Sequence, residues 1–139
     1  MNKLNPFIRM IISFLLGVII AFCVILLAET LNAKLFPSKH LNPSFMEMQQ
    51  EIDTLPAQAF LLVLLGYALS SFFGAYVAGR VAPSAYKFWM AMSIGFFLLL
   101  GGIVNFIAFP HPVWLSVSAS ISFLLFAFLG GKLAKESQA

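Results

Sequence analysis

Six polar side chains stand out in a chain that has few of them: Glu29, Tyr67, Asn105, His111, Ser116 and Ser120. A carboxylate placed beside an imidazole raises the pKa of the imidazole towards or above neutrality, so Glu29 and His111 could form a proton-coupled pair. Tyr67, Asn105 and the two serines would add hydroxyl and amide groups, giving a polar site able to bind or pass a small solute. Each residue also has a plainer use. Glu29 can be solvated at an interface, and His111 can be a turn residue between Pro110 and Pro112. Asn105 can bridge helices, and a Ser hydroxyl can bond back to the preceding turn.

Other chemistries lack their residues. There is no Gly-rich phosphate loop, no His-x-x-x-His pair and no Gly-x-Ser-x-Gly elbow. His40 and His111 are far apart in sequence, and Cys23 is the only cysteine, which excludes an intramolecular disulfide and any multi-Cys metal site. Cys23 lies deep in an apolar run, where a small core hydrophobe is the expected role, and the bulky Phe22 before it argues against lipidation. The expectation is a protein that is not an enzyme and holds no cofactor. The net charge of +3 comes from scattered cations rather than a basic face, which argues against nucleic-acid binding.

The elements that must position the polar set are membrane helices. Of 139 residues, 61% are hydrophobic and 9% are charged, and the 44 residues from Phe88 to Gly131 contain no Lys, Arg, Asp or Glu. One helix of that length would rise roughly 66 Å, twice the hydrocarbon thickness, so the chain must turn at Pro110-His111-Pro112 and cross back. The 19 uncharged residues from Met10 to Ala28 are too many for a signal-peptide core and enough to span. Four spans are expected, over about 8–29, 57–81, 87–109 and 113–133, forming an all-α integral membrane four-helix bundle and a single domain over 1–139. Ser116, Ser118, Ser120 and Ser122 alternate as in a strand, but a lone strand in lipid leaves its edges unpaired, so helix is expected there too.

The sizeable loop, 30–56, carries Pro37, Pro43 and Pro56. Within it Ser44 and Glu47 make a capping-box signature, and Phe45, Met48, Ile52 and Leu55 recur at helical spacing, with Gln49, Gln50, Glu51 and Asp53 opposite. A short amphipathic helix over 44–54 is predicted, lying over the bundle or at headgroup level.

Lys3, Arg9, Arg80, Lys87, Lys132 and Lys135 fall on one side of such a bundle, and Lys34 and Lys39 on the other. The positive-inside rule then places both termini in the cytoplasm and the 30–56 loop outside. Tyr86 and Trp89 would anchor the inner interface and Trp114 the outer one.

Helix association in lipid needs close backbone approach, and small residues recur at four-residue spacing: Ser13, Gly17 and Ala21 in span one, and Gly66, Ser70, Gly74 and Ala78 in span two. These stripes predict helix packing within the chain. The broad small-residue front on span two leaves room for a second copy. The expected partners are membrane lipids and a homodimer or larger membrane complex.

The span-one exit with Glu29, the Pro-bearing outer loop, the run Gly-Ala-Tyr-Val-Ala-Gly-Arg from Gly74 to Arg80, and Phe-Pro-His-Pro-Val-Trp from Phe109 to Trp114 together resemble a recurrent kind of small bacterial four-helix membrane protein of unknown function. The resemblance implies a four-helix fold and a bacterial inner-membrane location, with no activity attached. The leading functional expectation is a non-enzymatic membrane protein acting through helix contacts, as a homo-oligomer or an accessory subunit. The alternative is a small transporter or channel using the outer polar group, and lipid binding between Phe-rich faces comes third.

Overall fold

A computed structural model describes residues 4–136, and the chain is all-α. Five α-helices follow in order: α1 (Pro6–Leu35), α2 (Phe45–Thr54), α3 (Ala57–Val81), α4 (Lys87–Ala108) and α5 (Val113–Glu136), with a single 3-10 turn at Ser84–Tyr86 before α4. No strand occurs among the described residues, so the alternating serines of α5 are helical. All except α2 are long and apolar enough to cross a membrane. Lys3 lies outside the described residues.

Local chemistry sets the boundaries. Asn5 caps α1 by accepting from the Phe7 N–H at 2.9 Å, with Pro6 at the first helical position, where its missing N–H costs nothing. The helix stops at Leu35 because Pro37 disfavours helical geometry at the residue before it. α1 therefore continues six residues past Glu29, which is an interior helical residue rather than the end of span one. The expected boundary treated the first charge as the exit, but nothing in Thr30–Leu35 breaks a helix. Arg9 and Glu29 are 20 residues apart, roughly 30 Å at the helical rise, which is the hydrocarbon thickness of a bilayer.

The short α2 forms as its sequence requires. Ser44 Oγ accepts from the Glu47 N–H at 3.4 Å, and the Glu47 carboxylate accepts from the Ser44 N–H at 2.7 Å, so both halves of the capping box are made.

α3 is the central helix. It is antiparallel to α1, which it meets through Gly17 against Gly74 and Ala28 against Gly66, and parallel to α5, which it meets through Ser71 against Phe123 and Gly79 against Ala134. α4 crosses this row, packing Gly95 on Ala127 and Gly131 on Ala91. Ser13, Gly17 and Ala21 of α1 are buried, as are Gly66, Ser70, Gly74 and Ala78 of α3. A Cβ on Gly17 would lie 2.8 Å from the Ala78 Cβ and 2.8 Å from the Gly74 carbonyl oxygen, closer than any relaxed contact. Such spacing lets polar side chains reach the neighbouring backbone. Ser13 donates to the Ala78 carbonyl at 2.6 Å, and Ser71 to the Phe123 carbonyl at 2.5 Å.

One end of the bundle collects most of the cations, Lys34 and Lys39 lying at the other. Arg9 donates to the Val81 carbonyl at 2.7 Å, Arg80 lies over the Tyr76 ring and Lys132 pairs with Glu136 at 3.9 Å. The contacts of Arg9 with Val81 and of Gly79 with Ala134 place both ends of the described chain at this same end. Cys23 corrects a sequence expectation, because it is exposed on the outside of α1 and is not a core residue. In lipid the outward face is as apolar as the core, so an apolar run does not say which of its residues point inward.

Candidate functional site

At the end of the bundle opposite the cations the helices separate. α1 and α4 touch through Gly17 with Ile94 and through Phe14 with Phe97, whose rings meet edge to face at 5.6 Å. Beyond that seal, a crevice of about 320 Å³ opens between Phe22, Ile25 and Leu26 of α1 and Phe97, Gly101 and Gly102 of α4, with Tyr67 and Phe123 also lining it. Above it lies a second cavity of about 310 Å³, lined by Met48, Glu51, Ile52 and Leu55 of α2 and its C-cap, by Val63 of α3, and by Phe109, Pro110 and His111 of the α4–α5 corner. Glu29, Tyr67 and Asn105 line both spaces. They come from α1, α3 and α4, so three helices meet at the boundary between an apolar crevice and a polar cavity.

Each of these groups is held differently. Tyr67 is buried, its ring 5.3 Å from that of Phe123 and 6.4 Å from that of Phe106. Its side chain borders the same two spaces as the Asn105 amide and the Glu29 carboxylate. Glu29 is exposed, and one turn along α1 the Asn32 Oδ1 is enclosed without a hydrogen-bond partner. His111 Nδ1 lies 2.8 Å from the Phe109 carbonyl, and its ring packs edge-on to Phe106 at 5.3 Å. A carbonyl only accepts, so Nδ1 carries the hydrogen, and Nε2 of the neutral ring is left as an acceptor.

Glu51 departs from the expected pattern. It does not lie opposite the apolar stripe but beside it, lining the cavity with Met48, Ile52 and Leu55 while staying open to solvent, and its carboxylate accepts from the Ser38 hydroxyl at 2.8 Å and from the Lys39 N–H at 2.9 Å. The chain between Pro37 and His40 folds back onto α2 and supplies these donors. The Ser38 hydroxyl, followed by the Lys39 N–H, holds the Glu51 carboxyl below its usual range; the Ser44 N–H, followed by its hydroxyl, does the same for Glu47.

Four of the six sequence candidates, Glu29, Tyr67, Asn105 and His111, thus border one cavity. The other two do not join them. Ser116 and Ser120 line a separate groove of about 400 Å³ between α4 and α5, with Ile103, Phe106 and Ile107 opposite, and the Ser120 hydroxyl donates to the Ser116 carbonyl at 2.8 Å. Depth along the helix put all six at one level, but α5 turns its serines to a different side. No ion pair joins Glu29 to His111; His40 Nδ1 lies 4.0 Å from the Glu47 carboxylate, and Lys132 pairs with Glu136. His111 bonds to its own corner instead.

Sequence reasoning missed Glu51 as a wall residue and the Gly101-Gly102 pair as part of an opening. A Cβ on Gly102 would strike the Phe123 ring, whereas one on Gly101 meets nothing within 4 Å. A glycine pair in a membrane helix reads as a packing face, and only the orientation of α4 shows that half of it faces empty space. Among the described residues no group of three His, Cys, Asp or Glu side chains is placed to hold a metal ion. No protein-family model, curated protein or solved structure matches the chain.

Proposed function

We propose that this chain is a multi-pass protein of a bacterial cytoplasmic membrane, with both termini in the cytoplasm, that binds a ligand in the outer half of its bundle. The observation that carries the reading is the convergence of Glu29, Tyr67, Asn105 and His111 on a cavity roofed by α2. Tyr67 and Asn105 lie at membrane depth, where polar groups cost free energy, and their meeting with Glu29 and His111 of the outer boundary around one open space is the layout of a ligand site. The orientation rests on the cations gathered at the opposite end, by the positive-inside rule.

A channel within one chain is less well supported. The inner half is closed by direct backbone approach, with Gly17 against Gly74 and Ala78, Gly79 against Ala134, and Gly131 against Ala91. The site is open from one side, as for a binding protein or for one state of a transporter. Action chiefly through helix contacts is also weakened, because apart from Gly101 every glycine would bring a Cβ against a neighbouring helix of the same chain. The small-residue surfaces are consumed internally. The groove at Ser116 and Ser120 is the surface that favours this second reading, as a contact for another copy or a larger complex.

The test uses Asn105→Cys in a Cys23→Ser background, with a membrane-impermeant maleimide added from outside whole cells. Labelling at Asn105→Cys and none at Ile94→Cys, in the packed inner half, is the expected result. No labelling at Asn105→Cys, in cells and again on folded protein freed of lipid in mild detergent, means a closed outer half and rejects the reading.

A further inference from the structure

We propose that the ligand is a phospholipid of the outer leaflet whose headgroup ends in an ammonium, seated with that headgroup under α2 and one acyl chain in the crevice between α1 and α4. This rests on the outer-half binding site proposed above and assigns it a ligand class. The first support is continuity. Glu29, Tyr67 and Asn105 border both spaces, so a polar compartment and an apolar one meet along one set of side chains, the layout an amphiphile requires and a small solute does not.

The second support is depth. Phe97 lies 10 residues and Asn105 18 residues beyond Lys87 at the start of α4, roughly 15 Å and 27 Å along the helix axis. With a hydrocarbon core of about 30 Å, the crevice runs from the outer headgroup boundary to the middle of the membrane, the thickness of one leaflet. The edge-to-face contact of Phe14 with Phe97 closes it at that depth. Its mouth lies between two helices on the outside of the bundle, so a chain can enter sideways from lipid.

The third support is charge. The polar compartment is lined by the carboxylates of Glu29 and Glu51 and by His111, with no Lys or Arg among its lining residues. The lining is rich in acceptors and negative, which suits an ammonium with its N–H donors and repels a headgroup with net negative charge. Gly101 completes the fit, because a side chain there would occupy the space meant for the acyl chain.

The experiment is native mass spectrometry of the full chain, released from mild detergent with equal amounts of phosphatidylethanolamine and phosphatidylglycerol of matched chains. The wild type should retain the ethanolamine lipid about tenfold over the glycerol lipid, a difference that a single charge contact can supply. Glu29→Gln should bring that ratio to within about twofold. Gly101→Phe should lower retention of the ethanolamine lipid about tenfold, whereas Val117→Phe, in the groove on the other side of α4, should change it less than twofold. Helix content by circular dichroism checks that each variant is folded. Equal retention of both lipids, or a folded Gly101→Phe that retains lipid as the wild type does, overturns the inference. A parallel titration with free ethanolamine separates the two levels: binding of the amine without retention of the lipid rejects the lipid and leaves the polar cavity as a solute site, and binding of neither rejects both.

Discussion

Replacing Gly17 and Gly101 by alanine, one at a time, should move stability in opposite directions. The new methyl at position 17 would sit 2.8 Å from each of the Ala78 Cβ, the Gly74 carbonyl oxygen and the Ile94 Cδ1. Relaxed contacts between carbon atoms fall at about 3.5–4.0 Å, so roughly 1 Å of separation must be found. Ile94 can rotate away, but the other two atoms are fixed to the α3 backbone. α1 must therefore back off α3, which also stretches the bond from Ser13 to the Ala78 carbonyl. Overpacking of this kind costs about 1–3 kcal/mol. Alanine recovers at most about 1 kcal/mol of helix propensity, and less where the unfolded reference keeps its helices. At position 101 the methyl meets nothing within 4 Å, so only the propensity gain remains. The two variants should therefore differ by about 2 kcal/mol, roughly thirtyfold in the unfolding equilibrium. Reversible unfolding in mixed micelles of mild detergent and dodecyl sulfate measures this for each variant. Equal stabilities, or a Gly17→Ala protein more stable than Gly101→Ala, would refute the packing geometry.

Ser13→Ala should cost only about 0.6 kcal/mol in the same assay, because the Ala78 carbonyl keeps its bond from the Ala82 N–H at 3.0 Å; a loss above about 2 kcal/mol would mean that Ser13 does more than donate to that carbonyl. Ser44→Ala removes half of the capping box and should raise hydrogen exchange across 45–54, by the equivalent of about 1 kcal/mol, while leaving α3 unchanged. Glu47 and Glu51 are held below the ordinary value of 4.5, so their contribution to the start of α2 and to the hold of residues 38–39 against it is complete above that value and is lost as pH falls through their lower folded values. Exchange across 45–54 should rise in acid below that point, and a rise confined to alkaline pH would contradict the sign. Cys23, exposed on the outside of α1, should resist a water-soluble maleimide in intact bilayers and react once the protein is unfolded in detergent; rapid labelling in the bilayer would show that this face of α1 meets water.

Much of the architecture can be read before any coordinates. Apolar length, the cations Arg80 and Lys87 and the breaks at Pro56 and Pro110–Pro112 define the spans, because a bilayer leaves the backbone no alternative to helix. α2 is legible for a local reason: Ser44 and Glu47 satisfy each other without help from the rest of the chain. The end of α1 was misjudged at Glu29, since a charge marks an interface but does not end a helix, and the informative residue was Pro37. The polar cavity is half legible. Topology brings Glu29, Tyr67, Asn105 and His111 to one level, but the direction each helix faces is invisible when lipid and core are equally apolar. That ambiguity admitted Ser116 and Ser120 to the wrong group, put Cys23 in the core and hid the open side of Gly101.

A structure determined at high resolution in a lipid nanodisc containing phosphatidylethanolamine bears most directly on the outer site. The expected density is a headgroup beside Glu29, Tyr67 and Asn105, continuous with an acyl chain running past Gly101 to Phe97. Contradiction would come from α1 closed onto α4 through its outer half, with Phe22 packed against Gly101 and no lipid between them.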